Sequence, residues 1–411
     1  MTAPTESHSQ IIKASGQDAA LPRRIRPLLS VLQRIEYGAI DVELPDGRLL
    51  GAKGSMPGPR CRIAILNMGF FRRLLGEGHL GFAEMYMDGW WTTPDLQKLM
   101  DFITLNNENM ARQFGGAGLF RLWQRLRHRL NSNSLIGSRR NIARHYDLGN
   151  AFYSLWLDAT MTYSSAMFRS GHETLEEAQE NKYAAVCNRL ALAPGERMLE
   201  IGCGWGGFAE YAIRERGVEV TALTISKAQY DFAGRRLFEA GLSEKGQILR
   251  RDYRDERGTY DAIASIEMIE AVGEKYWPTY FATLHDRLTP GGKAALQAIT
   301  VEDSQFPTYR RRTDFIQKHI FPGGMLLCPA ALRKLAGVAG LATLDTEAFG
   351  DSYSRTLRAW RHRFNDQWSR IAELGFDERF HRMWDFYLAS CAANFAAGIT
   401  DVMQVTYRRP H

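Results

Sequence analysis

Beyond about residue 140 the chain alternates short apolar runs with longer amphipathic ones, and no other feature constrains the fold as much. Runs at 197–201, 218–224, 246–250, 260–265, 292–299 and 402–408 read as strands. Runs at 174–191, 205–215, 226–240, 275–288 and 329–338 read as helices, the first opened by the capping box Thr174…Glu177. Parallel strands need a long crossover, so strand–helix–strand alternation means a parallel sheet with helices on both faces. The expected fold class is α/β, a doubly wound Rossmann-like sheet. Ligands in such sheets settle at the carboxyl ends of the strands, where strand order reverses.

The chain has 411 residues, too many for one ordinary core. Between 37 and 70 the alternation of apolar and polar residues, with a turn at Asp46-Gly47, reads as short antiparallel strands; 69–91 and 95–110 read as mostly helical. The expected organisation is a flexible tail over 1–25, a small α+β domain over 26–118, a basic amphipathic helix and linker over 119–140, and the α/β domain over 141–411. In "LFRLWQRLRHRL" (119–130) Leu119, Leu122, Trp123, Leu126 and Leu130 share one helical face, and Arg121, Arg125 and Arg129 another. Such a helix either docks on anionic lipid or packs on its own domain with its arginines in water.

A net charge of +6 points to an anionic partner, nucleic acid or membrane, or to a merely basic surface. No window of about 18 apolar residues is present, and the polar start "MTAPTESHSQIIKASG" has no apolar signal core, so a cytoplasmic protein is expected. The five cysteines form no CxxC pair, which argues against a disulfide framework and a structural zinc site; no metal is expected.

The segment "LEIGCGWGGFAEY" (199–211) closes the first strand of the alternation. Gly202, Gly204 and Gly207 fit the dinucleotide pattern GxGxxG, while Glu200 with Gly202, Gly204 and Gly206 fits ExGxGxG. A dinucleotide site needs an acid at the end of the second strand to hold a ribose, and that strand ends Thr224-Ile225-Ser226. Glu200 would also repel a pyrophosphate, whereas it favours the amino group and sulfonium of S-adenosylmethionine (SAM). After the third strand, in "RRDYRD", Asp252 can accept from an adenine amino group and Tyr253 can cover the ring. The loop is read as a SAM site. A solvent-facing acid is the alternative for Glu270, which ends the run "SIEMIE"; its place at a strand end favours the site.

With these residues in order, the chain resembles the cyclopropane fatty acid synthases, in the superfamily of the mycolic acid methyltransferases. The resemblance rests on "GEGHLGFAEMYMDGWW", "RHYDLGNAFYSLWLDATMTYSSAMF", "LEIGCGWGGFA", "LTISKAQ", "DYRD", "IEMIEAVG", "FIQKHIFPGGML" and "FGDSYSRTLRAW". It implies a class I SAM-dependent methyltransferase fold behind a small lipid-handling domain. It implies SAM held by Tyr163, Ser164, the glycine loop, Thr224, Gln229 and Tyr253, with Gln229 replacing the missing ribose acid. The implied reaction is methyl transfer from SAM to the cis double bond of an unsaturated phospholipid acyl chain. Proton loss from the new methyl then closes a cyclopropane, with bound bicarbonate as base. The implied bicarbonate pocket falls on Ser165, Glu270, Gln297, Ile299 and Tyr353, with Cys391 matching a reactive cysteine near the site; on its apolar run Cys391 also reads as a buried small residue.

Three positions depart from the pattern: Ser165 stands for a cysteine, Gln297 for a histidine, and Ala271 for the histidine that often follows the glutamate. Gln297 can donate a hydrogen bond but cannot become cationic, so the proton could leave from a chain carbon instead. That would give a methylene- or methyl-branched chain and a partner redox enzyme. The implied setting is the inner face of the membrane, with a homodimer and without nucleic acid. The rival readings are a methyltransferase of a soluble small molecule, and a lipid- or SAM-binding protein without catalysis.

Overall fold

The computed structural model describes residues 10–13, 25–106 and 148–411. The basic amphipathic helix and linker expected over 119–140 lie outside these residues. The chain forms two compact units.

The first unit joins the N-terminal segment to residues 375–397. Its sheet holds β1 (Gln10–Lys13), β2 (Tyr37–Glu43), β3 (Leu49–Lys53), β4 (Met56–Ile65) and β5 (Trp91–Thr92), in the order β1-β3-β2-β4-β5. Strand β1 lies within the span expected as a tail and pairs with β3. The β2–β3 hairpin turns at Asp46-Gly47 as expected, with Gly47 at φ +83°. Strand β4, expected antiparallel, instead runs parallel to β2, because the chain passes round the start of β2 to its other edge. Glycine makes that passage possible. A Cβ on Gly54 would lie 2.2 Å from the Glu36 carbonyl oxygen, and one on Gly38 (φ +73°) 2.2 Å from that of Pro59.

Burial alternates along β2, turning Ile40 and Val42 inward. The helix Leu96–Leu105 is capped by the Asp95 carboxylate on the Lys98 N–H. Asn106 at its end is 1% exposed. Its side chain accepts from the Glu36 and Tyr37 N–H groups (2.9 and 3.0 Å) and donates to the Tyr37 and Phe102 carbonyls. The helix Phe70–Met87 is broken at Gly78 (φ +57°, ψ −136°). The late helix Glu378–Ala396 belongs to this unit: Gln97 donates to the Ala389 carbonyl at 3.2 Å, and Tyr86 to the Asp385 carboxylate at 3.2 Å. The expected boundary, which gave all of 141–411 to one domain, differs there; apolar periodicity shows that a helix is buried but not against which core.

The second unit is the expected doubly wound sheet. It holds β6 (Arg197–Ile201), β7 (Glu219–Thr224), β8 (Gly246–Arg250), β9 (Tyr260–Ile266), β10 (Leu288–Val301), β11 (Ala342–Ala348) and β12 (Thr400–Arg408). Their order is β11-β12-β10-β9-β6-β7-β8, and β12 runs antiparallel to both neighbours in an otherwise parallel sheet. Met198, Leu199, Ile263 and Ala264 are sealed from solvent on opposite faces, as both-sided helical cover requires. Strand order reverses between β6 and β9, so the loops after these strands open onto the switch point. Among the described residues no helix is long and apolar enough to cross a membrane.

Candidate active site

Strand β6 runs into the glycine loop, where Gly202, Gly204 and Gly206 have φ of +85°, +53° and +83°. A Cβ on Gly202 would lie 2.6 Å from the Met268 side chain, and one on Gly206 2.9 Å from Ala233. These two are packing glycines. A Cβ on Gly204 would meet no protein atom within 4 Å, so there the backbone can be approached by a ligand. The helix Gly207–Arg216 starts at the loop and directs its first N–H groups toward it.

Glu200 is 2% exposed, and its Oε2 has no hydrogen-bond partner. Burial pushes its carboxyl up to about 8, against the pull of the Lys182 charge. A buried acid with one unpartnered oxygen beside an open glycine loop suits a cationic ligand, as SAM is. Thr224 Oγ1 donates to Gln229 Oε1 at 2.8 Å, which leaves the amide nitrogen of Gln229 as the end able to reach a ribose hydroxyl. Tyr253 is buried with an unpartnered hydroxyl. Asp252, expected to face an adenine amino group, has both oxygens on the Arg254 guanidinium at 2.8 Å. Ser164 is buried, and its hydroxyl accepts from Lys182 Nζ at 2.8 Å. Tyr163 sits among rings, 5.3 Å from Trp360 and 6.3 Å from Phe321 between centroids.

The residues assigned to bicarbonate meet in space, but around another group. Glu267 follows β9 in the left-handed region (φ +49°). Its Oε1 accepts from the Ser165 N–H and from Gln297 Nε2, both at 2.8 Å, and its Oε2 from the Tyr353 hydroxyl at 2.7 Å. Its own N–H donates to the Gln297 carbonyl at 2.8 Å, fixing strand end to side chain. Burial raises the Glu267 carboxyl above its ordinary value, opposed by Tyr353, Ser165, Gln297 and Lys182. One turn on, Glu270 accepts from the Ile299 N–H at 2.6 Å and keeps Oε2 unpartnered. Burial, then the Glu267 charge, pushes Glu270 up to about 8. Ser165, Gln297 and Tyr353 thus already serve one carboxylate, and Ile299 serves another. A bicarbonate beside them would find these donors already taken by carboxyl groups, so this donor set does not fit it.

Glu267 is not among the positions that the family resemblance marks, although it directly follows the end of β9. The available signal was its spacing, three residues before Glu270 in an otherwise apolar run. Lys182 was also missed: it is fully buried, and burial lowers its ammonium to about 7 against the pull of Glu267, Asp158 and Glu200. Cys391 is half-buried on the helix Glu378–Ala396 of the first unit; the cluster above is drawn from the second unit alone.

A sheet of this order with a glycine loop and a buried acid at its switch point defines a class I SAM-dependent methyltransferase. The family model for mycolic acid cyclopropane synthetase matches residues 133–405, and the chain belongs to that family. It is 38% identical to the tuberculostearic acid methyltransferase UfaA1 of Mycobacterium tuberculosis, over 82% of this chain and 81% of that one. It is 36% identical to the cyclopropane-fatty-acyl-phospholipid synthase of Escherichia coli K12, over 88% and 90%. Among solved structures it resembles the cyclopropane synthase MmaA2 of Mycobacterium tuberculosis (TM-score 0.62, 30% identity), covering 66% of this chain and 98% of that one. The mycolic acid cyclopropane synthase CmaA1, solved with S-adenosylhomocysteine (SAH) and CTAB, aligns with TM-score 0.62 at 29% identity, over 66% and 98%.

Proposed function

We propose that this methyltransferase acts on the cis double bond of unsaturated phospholipid acyl chains and forms cyclopropane fatty acids. The observation that carries the reading is the aromatic wall beside the carboxylates. Tyr353 packs edge-on against Trp360 (6.1 Å), Trp360 lies 5.9 Å from Trp156, and Tyr163 neighbours both. An alkene is a weak nucleophile that must be aligned in a dry site. The half-buried Tyr163 ring is the face that meets the acyl chain, and the sealed rings of Trp156 and Trp360 behind it favour the positive charge that develops there. SAM, when bound, supplies the electrophilic methyl. Tyr163, Ser164, Glu200, the glycine loop, Thr224, Gln229 and Tyr253 hold it. The enzyme works at an anionic membrane surface, in keeping with its net charge of +6.

The test is mass spectrometry of acyl chains after incubation with SAM and liposomes of a cis-monounsaturated phospholipid. A gain of one CH2 that resists ozone marks the cyclopropane. The same gain with an ozone-cleavable chain marks a methylene or methyl-branched product and a redox partner, the second reading that Gln297 favours by lacking a cationic form. No gain with SAM bound turns the reading toward a soluble substrate. Liposome co-sedimentation at rising salt checks the membrane partner: binding that survives high salt unchanged would remove the electrostatic argument.

A further inference from the structure

We propose that the Glu267 carboxylate is the base of this active site and takes the place of a bound bicarbonate. The inference rests on the acyl-alkene reading above. Its first support is the direction of the hydrogen bonds. A guanidinium only donates, so Arg189 gives its Nε–H to Gln404 Oε1 at 3.0 Å. That leaves Gln404 Nε2 to donate to Gln297 Oε1 at 3.0 Å, and Gln297 Nε2 to donate to Glu267 at 2.8 Å. Arg189 is itself held by Asp345 and Glu347. The chain of donors therefore runs one way and ends on an acceptor. With the Ser165 N–H and the Tyr353 hydroxyl added, three donors select the ionised form of Glu267.

The second support is backbone geometry. Glu267 stands at φ +49°, in the left-handed region that L side chains rarely adopt. The strand end keeps this conformation, and it is the one that delivers the carboxylate to Ser165, Gln297 and Tyr353. The third is location. Tyr353 touches Glu267 with its hydroxyl and Trp360 with its ring, so the carboxylate borders the aromatic wall where the acyl chain is placed.

The step balances without a further reagent. The alkene π pair forms the new bond to the methyl carbon, while the pair of the breaking C–S bond leaves on sulfur, giving SAH and a carbocation on the acyl chain. Glu267 accepts one proton, either from the new methyl carried by the neighbouring carbon or from a chain carbon next to the cationic centre. The released C–H pair closes the three-membered ring if the proton leaves the new methyl, and forms a double bond if it leaves the chain. The protonated Glu267 later returns its proton to water.

The test compares the wild-type chain with Glu267→Gln and Glu267→Gly. Glycine suits φ +49° and frees the three donors, so Glu267→Gly is expected to fold; thermal unfolding and SAM binding check both variants. Titration with 13C-bicarbonate by NMR is expected to show no binding to the wild type and binding to Glu267→Gly. Wild-type turnover is expected to be the same in CO2-free buffer. Glu267→Gln is expected to bind SAM and lose about 100-fold or more in turnover, and bicarbonate to restore turnover to Glu267→Gly. Bicarbonate binding by the wild type, a wild-type requirement for it, full turnover by Glu267→Gln, or a folded Glu267→Gly chain that ignores bicarbonate would each overturn the proposal. A wild-type chain that methylates no unsaturated phospholipid sinks the acyl-alkene reading alone, and the NMR comparison still decides the anion.

Discussion

Glu200 couples ligand binding to protons. Burial pushes its carboxyl up to about 8 in the folded chain, against the ordinary value of 4.5 in the unfolded one. Between those values the folded protein holds a proton that the unfolded chain has released. This group's contribution to stability is therefore present below pH 4.5 and declines as pH rises toward 8. Glu200→Gln should flatten that decline by up to about 1.4 kcal/mol per pH unit in denaturation curves of the ligand-free protein. A cationic ligand reverses the preference, since it stabilises the carboxylate. SAM binding should then release a proton near pH 7, readable by calorimetry in buffers of different ionisation enthalpy, and Glu200→Gln should abolish the release. Proton uptake on binding would show that Glu200 does not face the cation. Tyr353→Phe removes one donor to a charged acceptor, worth about 1.5–3 kcal/mol. Turnover should fall between about tenfold and 100-fold with SAM affinity kept, and an unchanged kcat would detach Tyr353 from the base. These roles were unequally legible. Tyr353, Gln297 and Ser165 came from a family pattern that supplied positions. That they point at Glu267 follows from side-chain directions, which no spacing rule contains.

At the scale of elements, β6, β7 and β9 were readable because strands buried on both faces spell near-continuous apolar runs. Strand β11, "ATLDTEA", was not. It is an edge strand exposed along most of its length, and only its pairing with β12 makes it a strand. The pairing of β4 with β2 instead of β3 was equally hidden, since a two-residue link normally signals a hairpin. Its mechanism makes a prediction. Gly38→Ala places a Cβ against the Pro59 carbonyl at 2.2 Å and strains φ +73°. It should destabilise the first unit by on the order of 3 kcal/mol and leave the second unit's unfolding transition in place. A loss in both transitions, or in neither, would mean that the backbone passage is not what Gly38 secures.

The whole molecule is not built of two consecutive stretches of chain. After completing most of the second sheet the chain gives the helix Glu378–Ala396 to the first unit, then returns to lay β12 between β10 and β11. The helix is bound there by Gln97, by Tyr86, and by the Arg379–Asp88 ion pair at 3.1 Å. Its protection from hydrogen exchange should therefore follow the first unit, although its sequence neighbours belong to the second. Asn106→Ala tests this, because it strips four hydrogen bonds from a side chain that ties the helix Leu96–Leu105 to β2. Two N–H groups left unsatisfied beside the core should cost about 2–4 kcal/mol. Amides of 378–396 should then exchange faster together with those of 96–105, while amides of β6, β9 and β10 keep their wild-type rates. If 378–396 instead keeps pace with β12, the helix takes its stability from the second unit. Such a result would restore the boundary that gives everything from 141 onward to one domain.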